Sequence, residues 1–227
     1  MLKFNKAYSM TTNRETFDRI SESWYRVRHW PLLREELEEL AHRWQSGKLL
    51  NAGCAHGADF LPFTQQFELW GVDFSTGMLG QAQRYSAKFN FYANLIAADM
   101  LSLPFPPNTF DWVISVAAYH HIKGKHAREA SFHELKRVLK PGGEAFLTVW
   151  NRGQPGFWLK TAEQEIPWKL KGKTVYRYYH LFSYRELKSL LTRVGFEIIT
   201  ISPEKSYRFP VKNFSRNICV SVRKRTG

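Results

Sequence analysis

The sequence predicts an α/β fold: a doubly wound, seven-stranded, mostly parallel sheet with a C-terminal antiparallel strand. Three observations lead there. Short apolar runs alternate with helical periodicity from about residue 47 onward, the pattern of parallel strands joined by crossover helices. A glycine-bearing turn, Gly53-Cys54-Ala55-His56-Gly57, closes the first strand, and Asp73 and Asp99 end the next two. At 227 residues, 44% of them hydrophobic, the chain suffices for one such domain with its own core.

The elements follow in order. Glu15–Val27 reads as a helix with Phe17, Ile20, Trp24 and Val27 on one face, and Pro31–Trp44 as a second, with proline in its first turn. Strand Lys48–Ala52 leads into the glycine turn, helix-like Asp59–Phe67, strand Leu69–Asp73, helix-like Ser75–Lys88 and a strand near Tyr92–Ala97. Prolines 104, 106 and 107 make a loop before strand Trp112–Ala117 and helix His126–Leu139. Pro141-Gly142-Gly143 reads as a turn into strand Glu144–Trp150. Helix Tyr184–Val194 and strands Phe196–Ile201 and Ile218–Val222 finish the chain, the last two pairing as a hairpin across 202–217. The organisation expected is one domain over 1–227, with an N-terminal helical cap at 1–46 and an insertion at 151–182.

Charge and cysteine content narrow the partners. The 33 Lys and Arg against 20 Asp and Glu leave +13, an excess suited to a polyanion. It gathers in Lys169, Lys171, Lys173 and Arg177, and in a tail with no acidic residue after Glu204. Cys54 and Cys219 make neither a disulfide framework nor a four-ligand zinc site, so no metal is expected. Met1–Met10 has no apolar leader segment, and no run approaches the ~18 apolar residues of a membrane span. Cytoplasmic residence is the expectation.

In a doubly wound sheet, ligands sit beyond the carboxyl ends of the strands. Gly53 and Gly57 let the backbone approach a ligand closely at a helix N-terminus. Asp73 can accept both hydrogen bonds of a ribose diol. Asp99 can accept from an adenine amino group while Met100 or Leu101 covers the ring. With Leu50–Gly57, Gly71-Val72-Asp73-Phe74-Ser75, Ala98-Asp99 and Leu139–Gly143, this ladder resembles the class I S-adenosylmethionine-dependent methyltransferases. The resemblance implies S-adenosyl-L-methionine as cofactor, bound by Gly53, Cys54, Ala55 and Gly57 in the first turn. Asp73, Phe74 and Ser75 would follow in the second, then Asp99, Met100, Leu101 and Val116. Asn51 stands where an acidic residue is common, and Ala55 replaces the middle glycine, tolerable while its φ stays negative.

Residues for the methyl acceptor cluster elsewhere. Trp24–Pro31 precedes the core domain, His120-His121 follows the fourth strand with Arg128 beyond, and Trp150, Pro167-Trp168 and Tyr176-Arg177-Tyr178-Tyr179-His180-Leu181 surround the insertion. Together these look like the tRNA wobble-uridine carboxymethyl methyltransferase family, whose members esterify 5-carboxymethyluridine at position 34. This chain lacks the long charged loop that some relatives carry between the Pro-Trp and tyrosine motifs. The resemblance implies a tRNA anticodon loop as substrate and a small zinc-binding activator subunit as partner, with no membrane. The edge strand near Phe89–Ile96 is where strand addition is expected, through Phe89, Phe91, Tyr92 and Leu95.

A carboxylate acceptor is ionised at neutral pH and needs no strong base. Arg28 and Arg177 are expected to grip the carboxymethyl group or the neighbouring phosphate, with His120, Tyr178 and His180 completing the reacting pocket. His120 can act as base or donor, and His121 is expected to be structural. Trp30 or Tyr179 would stack on the uracil, and Tyr25, Arg128, Trp150, Trp168 and Arg216 would line the substrate site. Two other functions fit the same residues. One is a methyltransferase acting at O or C of a small carboxylate, phenol or quinone precursor; the other is a catalytically silent protein that binds cofactor and RNA.

Overall fold

A computed structural model describes residues 12–170 and 172–226. The Met1–Met10 stretch and Lys171 of the first basic cluster lie outside the described residues. Nine strands and five α-helices run in the order α1 (Asn13–Val27), α2 (Arg34–Trp44), β1 (Gly47–Ala52), β2 (Phe67–Asp73), α3 (Thr76–Lys88), β3 (Asn94–Ala97), β4 (Phe110–Val116), α4 (Lys125–Val138), β5 (Leu139–Trp150), β6 (Glu163–Leu170), β7 (Lys173–His180), α5 (Tyr184–Val194), β8 (Phe196–Pro203) and β9 (Asn217–Lys224).

Seven strands form one sheet in the order β3-β2-β1-β4-β5-β9-β8, with β9 antiparallel to both neighbours and the rest parallel. The chain moves outward from β1 through β2 to β3, then returns to place β4 on the other side of β1. That reversal opens a crevice at the carboxyl ends of β1 and β4, the usual ligand position in such sheets. One face of the sheet is closed by α4 and α5 through Phe132, Leu135, Leu187 and Leu191, all buried. The other is closed in part by α2 through Leu37, Leu40 and Trp44, and Trp44 stacks on Trp112 at 4.9 Å.

Two segments differ from the sequence expectation for local reasons. Asp59–Phe67 is not a helix: a 3-10 turn spans Ala58–Phe63, Pro62 lies within it, and β2 begins at Phe67. Pro141-Gly142-Gly143 does not end one element and start another. It lies inside β5 as a bulge, where pairing with β4 jumps from Phe110–Leu139 to Trp112–Glu144 and Gly142 takes φ +78°. The second helix starts at Arg34, three residues after Pro31.

The segment 151–182 contains a separate antiparallel hairpin, β6–β7, in which Pro167 faces Tyr176 and Trp168 faces Val175. The Pro-Trp and tyrosine motifs are therefore cross-strand partners. Helix α1 holds this hairpin against the sheet. Its start is fixed by a capping box, Thr12 accepting from the Glu15 amide and Glu15 from the Thr12 amide. Asn13 then bridges elements, its Oδ1 accepting from the Tyr178 amide (2.9 Å) and its Nδ2 donating to the carbonyls of His121 (3.1 Å) and Tyr178 (3.4 Å). Val175 packs with Phe17, Ile20 and Met78. On the other side of α1, Asp18 Oδ1 accepts from Ser75 Oγ (2.7 Å) and the Gly77 amide (2.9 Å), tying the helix to the start of α3.

At the sheet edge, β3 leaves Tyr92 exposed, but Phe89 and Phe91 pack against Tyr85, and Leu95 is half-buried against the core. Three of the four side chains expected to invite a partner strand thus face inward, leaving the backbone edge and Tyr92. Among the described residues no helix is long and apolar enough to cross a membrane.

Candidate active site

The crevice at the β1–β4 switch holds a cavity of about 310 Å³. Its floor is the turn after β1. Gly53 takes φ +76°, and a Cβ there would lie 2.4 Å from that of Ala118, so no larger residue fits. Ala55 also has positive φ, +46°, against the expectation that alanine would keep φ negative. Its amide donates to Asp73 Oδ2 (2.8 Å), while Asp73 Oδ1 accepts from the Ser75 amide (2.9 Å). Each carboxylate oxygen keeps a further acceptor site, the number a ribose diol needs. Burial raises the Asp73 pKa to about 6, although both amides oppose the shift.

Asp99, Met100 and Leu101 line the cavity beyond β3, and Asp99 Oδ1 is steadied by the Leu101 amide (2.9 Å). Val116, Cys54 and Phe74 contribute apolar wall. Arg28 and Asp59 also line it, near each other. Burial raises the Asp59 pKa to about 7, and the nearby Arg28 charge offsets only part of that. A cavity lined by three acids and a half-buried guanidinium fits a nucleoside bearing a zwitterionic amino-acid tail.

Beside this cavity, His120 and His121 sit in a 3-10 turn after β4. The Trp150 amide donates to His120 Nδ1 (3.2 Å), which forces the proton of a neutral ring onto Nε2. Burial, with His121, Arg177 and His180 nearby, keeps His120 well below the usual imidazole range. His121 has the opposite tautomer, Nδ1–H donating to the Tyr178 carbonyl (2.9 Å), and burial lowers its pKa to about 3. Both rings are therefore neutral at pH 7. His121, expected to be structural, lines the cavity, and His120 lies behind it, stacked on Tyr179 at 4.6 Å.

Alternation along β7 divides the tyrosine motif. Arg177 and Tyr179 face one way and share a hydrogen bond, Nη1 to Oη, of 2.9 Å. The Arg177 guanidinium lies 4.9 Å from the Trp168 ring, 5.3 Å from Tyr179 and 5.9 Å from Trp24. It is buried with no carboxylate partner among the described residues, and its Nε has no hydrogen-bond acceptor. His120 Nε2 and Trp24 Nε1 are likewise buried and unbonded. Arg28 and Arg216 lie close enough to act electrostatically on Tyr179 too. Arg216 covers Trp150 at 5.3 Å, and Trp150 packs on Tyr179 at 4.6 Å.

Tyr178 and His180 face the other way, a correction to their expected place in the pocket. Tyr178 Oη accepts from Arg128 (3.4 Å), and Arg128, itself buried, also donates to the Ile122 carbonyl (3.2 Å). His180 Nε2 bonds Glu186 (2.7 Å). These three hold the hairpin to α4 and α5. Tyr25 is buried edge-on against His56 and Tyr85 and serves the core. Trp168 donates to Ser23 (2.9 Å) and shields Arg177. Trp30 is 60% exposed at the cavity mouth, free to stack. Ser75 caps α3, and Gly57 (φ +83°) shapes the turn; neither lines the cavity.

Sequence reasoning missed Phe17, His56, Asp59 and Lys123 in the lining. Phe17 looks like core, and Asp59 two residues after a glycine looks like a helix cap. His56 is buried with both nitrogens unbonded, its pKa lowered by burial to about 4.

Comparison with known proteins accords with this geometry. The pattern of a methyltransferase domain matches residues 49–143. A protein of Encephalitozoon cuniculi, named as a methyltransferase, is 33% identical over 82% of this chain and 86% of its own length. The tRNA (carboxymethyluridine(34)-5-O)-methyltransferase of Schizosaccharomyces pombe is 30% identical over 46% of this chain; the match spans 57% of that relative. A crystal structure of an S-adenosylmethionine-dependent methyltransferase from Clostridium acetobutylicum superposes with a TM-score of 0.72 over 92% of this chain and 99% of the other, at 12% identity, a likeness of fold. Strand order, domain match and the near-full-length relative agree: the chain belongs to the class I S-adenosylmethionine-dependent methyltransferases.

Proposed function

We propose that the chain esterifies the carboxymethyl group of 5-carboxymethyluridine at the wobble position, 34, of tRNA. One observation carries this reading: a buried arginine with no counter-charge, flanked by further buried N–H donors that have no acceptor. Such groups are costly to bury unless something anionic meets them. Arg177 Nε, His120 Nε2–H and Trp24 Nε1–H are all donors, and a carboxylate is an acceptor only. The relative named for carboxymethyluridine esterification supports the same acceptor.

S-adenosylmethionine, when bound, would supply a sulfonium methyl group for transfer to a carboxylate oxygen. The chain's residues then have positioning roles. Asp73 and Asp99 would hold the ribose and adenine, with Arg28 and Asp59 at the amino-acid tail. Arg177 and His120 would orient the carboxylate without protonating it, since His120 is neutral and held there by burial. No general base is required at neutral pH. Orientation of this kind can supply roughly 7–11 kcal/mol of a barrier. Trp30, in the cavity lining, would stack on a base, and Arg216, over Trp150, would meet a phosphate.

A tRNA acceptor implies cytoplasmic residence, and the β3 edge is the surface we assign to an activator subunit. The test is methylation of bulk tRNA with labelled cofactor, followed by nucleoside mass spectrometry. A uridine methyl ester, released by mild alkali as methanol, is expected. Label that survives alkali, or appears in no uridine, would sink this reading.

A further inference from the structure

Two loops beside the Arg177–Tyr179 cluster, 152–162 and 205–216, carry rings and cations of which the proposed methyl transfer uses only Arg216. They are locked together. Asn151, just before the first loop, donates through Nδ2 to the carbonyls of Asn213 (2.8 Å) and Ser215 (2.9 Å) in the second, and within the first Trp158 Nε1 donates to the Gly153 carbonyl (2.6 Å). Trp158 packs on Phe214 at 5.1 Å, and Phe214 stacks on Phe209 at 6.1 Å. Yet Trp158 and Phe209 each remain 57% exposed, a large apolar area to leave in water. Neither loop contains an acidic residue. Lys205 is paired with Glu35 and Glu39, but Arg152, Arg208, Lys212 and Arg216 form no ion pair among the described residues.

We infer that these loops form a stacking platform for single-stranded RNA, holding the nucleotides that flank the target base. Exposed ring faces with interspersed cations are what unpaired bases on a phosphate chain require. A protein docking face would use the rings but not the unpaired cations. The platform is also continuous with the pocket, because Arg216 lies on Trp150 and Trp150 on Tyr179. The inference rests on the proposed function for which base is presented, not for the binding of RNA itself.

The test is fluorescence anisotropy of the full chain with an RNA hairpin carrying an unpaired loop, against fully paired duplex RNA. The native chain should prefer the hairpin. Trp158→Ala and Phe209→Ala should each weaken hairpin binding by about tenfold, within the range of base–aromatic stacking. Replacing Arg208 and Lys212 together by Ala should reduce the slope of log affinity against log salt by about 1.4. Binding of S-adenosylhomocysteine should be unchanged in all three, which shows that they fold. Hairpin affinity within about twofold of native in both aromatic variants would overturn the platform, even if tRNA is methylated, and would leave the face to a protein. Hairpin binding lost as expected, with no uridine ester formed by the native chain, would support the platform while removing the proposed acceptor.

Discussion

The two halves of the active site follow opposite plans. On the donor side the two strand-end carboxylates are engaged before any ligand arrives: Asp73 holds the amides of Ala55 and Ser75, and Asp99 that of Leu101, while His56 in the same lining is unbonded. On the acceptor side Arg177, His120 and Trp24 keep buried donors with nothing to bond. The charges differ as well, with Asp59, Asp73 and Asp99 on the cavity and Arg28, Arg177 and Arg216 grouped around Tyr179. Under the proposed function a sulfonium and a carboxylate would each be met by the opposite charge, and Arg28, on the cavity wall and near Tyr179, lies between the two groups.

The largest effect should come from Asp73. Asp73→Ala removes the acceptor for two ribose hydroxyls and frees two backbone amides, so cofactor affinity should fall by roughly a hundredfold or more, at about 1–3 kcal/mol for each unsatisfied group. Titration calorimetry with S-adenosylhomocysteine checks it, and near-native affinity would break the donor half of the comparison. Next is Arg177. Arg177→Lys keeps the charge but loses the planar fork and the Tyr179 bond, so kcat/KM for tRNA should fall about tenfold to a hundredfold. Cofactor affinity should hold steady. Equal losses in both would mean that the guanidinium supports the fold and not the acceptor.

Proton linkage sharpens the contrast further. Asp59 and Asp73 have folded-state pKa values of about 7 and about 6, above the ordinary 3.8. Carboxyls raised in this way favour folding while protonated, a contribution present below about pH 4 and lost as pH climbs through 6 to 7. A cationic donor selects the ionised forms. Its affinity should therefore rise from about pH 5 to about pH 8, with proton release visible as buffer-dependent calorimetric heats. Asp59→Asn should flatten the upper part of that rise. An affinity independent of pH in the native chain would deny both acids a place at the ligand.

How much of this could be read beforehand depends on whether the signal was local. Helix α5 was legible to its bounds because Ser183 caps it, Gly195 ends it in a left-handed turn and its apolar spacing is unbroken. Strand ends at Asp73 and the residues after β3 were legible for the same reason. The acceptor half was not. Alternation divides any consecutive run, so Tyr178 and His180 had to face away from Arg177 and Tyr179, but which pair turns toward Trp24 of α1 is decided by α1 packing against β7. Asn13, the residue that fixes this, carries no sign of it in the sequence. Likewise the choice between His120 and His121 rests on a 3-10 turn and a hydrogen bond from Trp150, thirty residues away.

The smallest expected effect tests where the donor half stores its strain. Ala55 at φ +46° and Ala117 at φ +56° both line the cavity, two residues with a Cβ in the left-handed region. The acceptor half holds its cost in unmet donors around Arg177; the donor half adds a cost in backbone. A left-handed conformation costs a non-glycine residue about 1–2 kcal/mol. Glycine removes that cost but gains freedom in the unfolded chain worth about 0.4–1 kcal/mol. Ala55→Gly should therefore stabilise the protein by a net ~0.5–1 kcal/mol, a rise in Tm of about 1–4 °C for a domain of this size. Cofactor affinity should change little, because the Ala55 amide that meets Asp73 is retained by glycine. A Tm that stays level or falls would show that the turn is not strained at this residue. The strain would then have to be sought at Ala117, where the chain leaves β4 for the histidine turn.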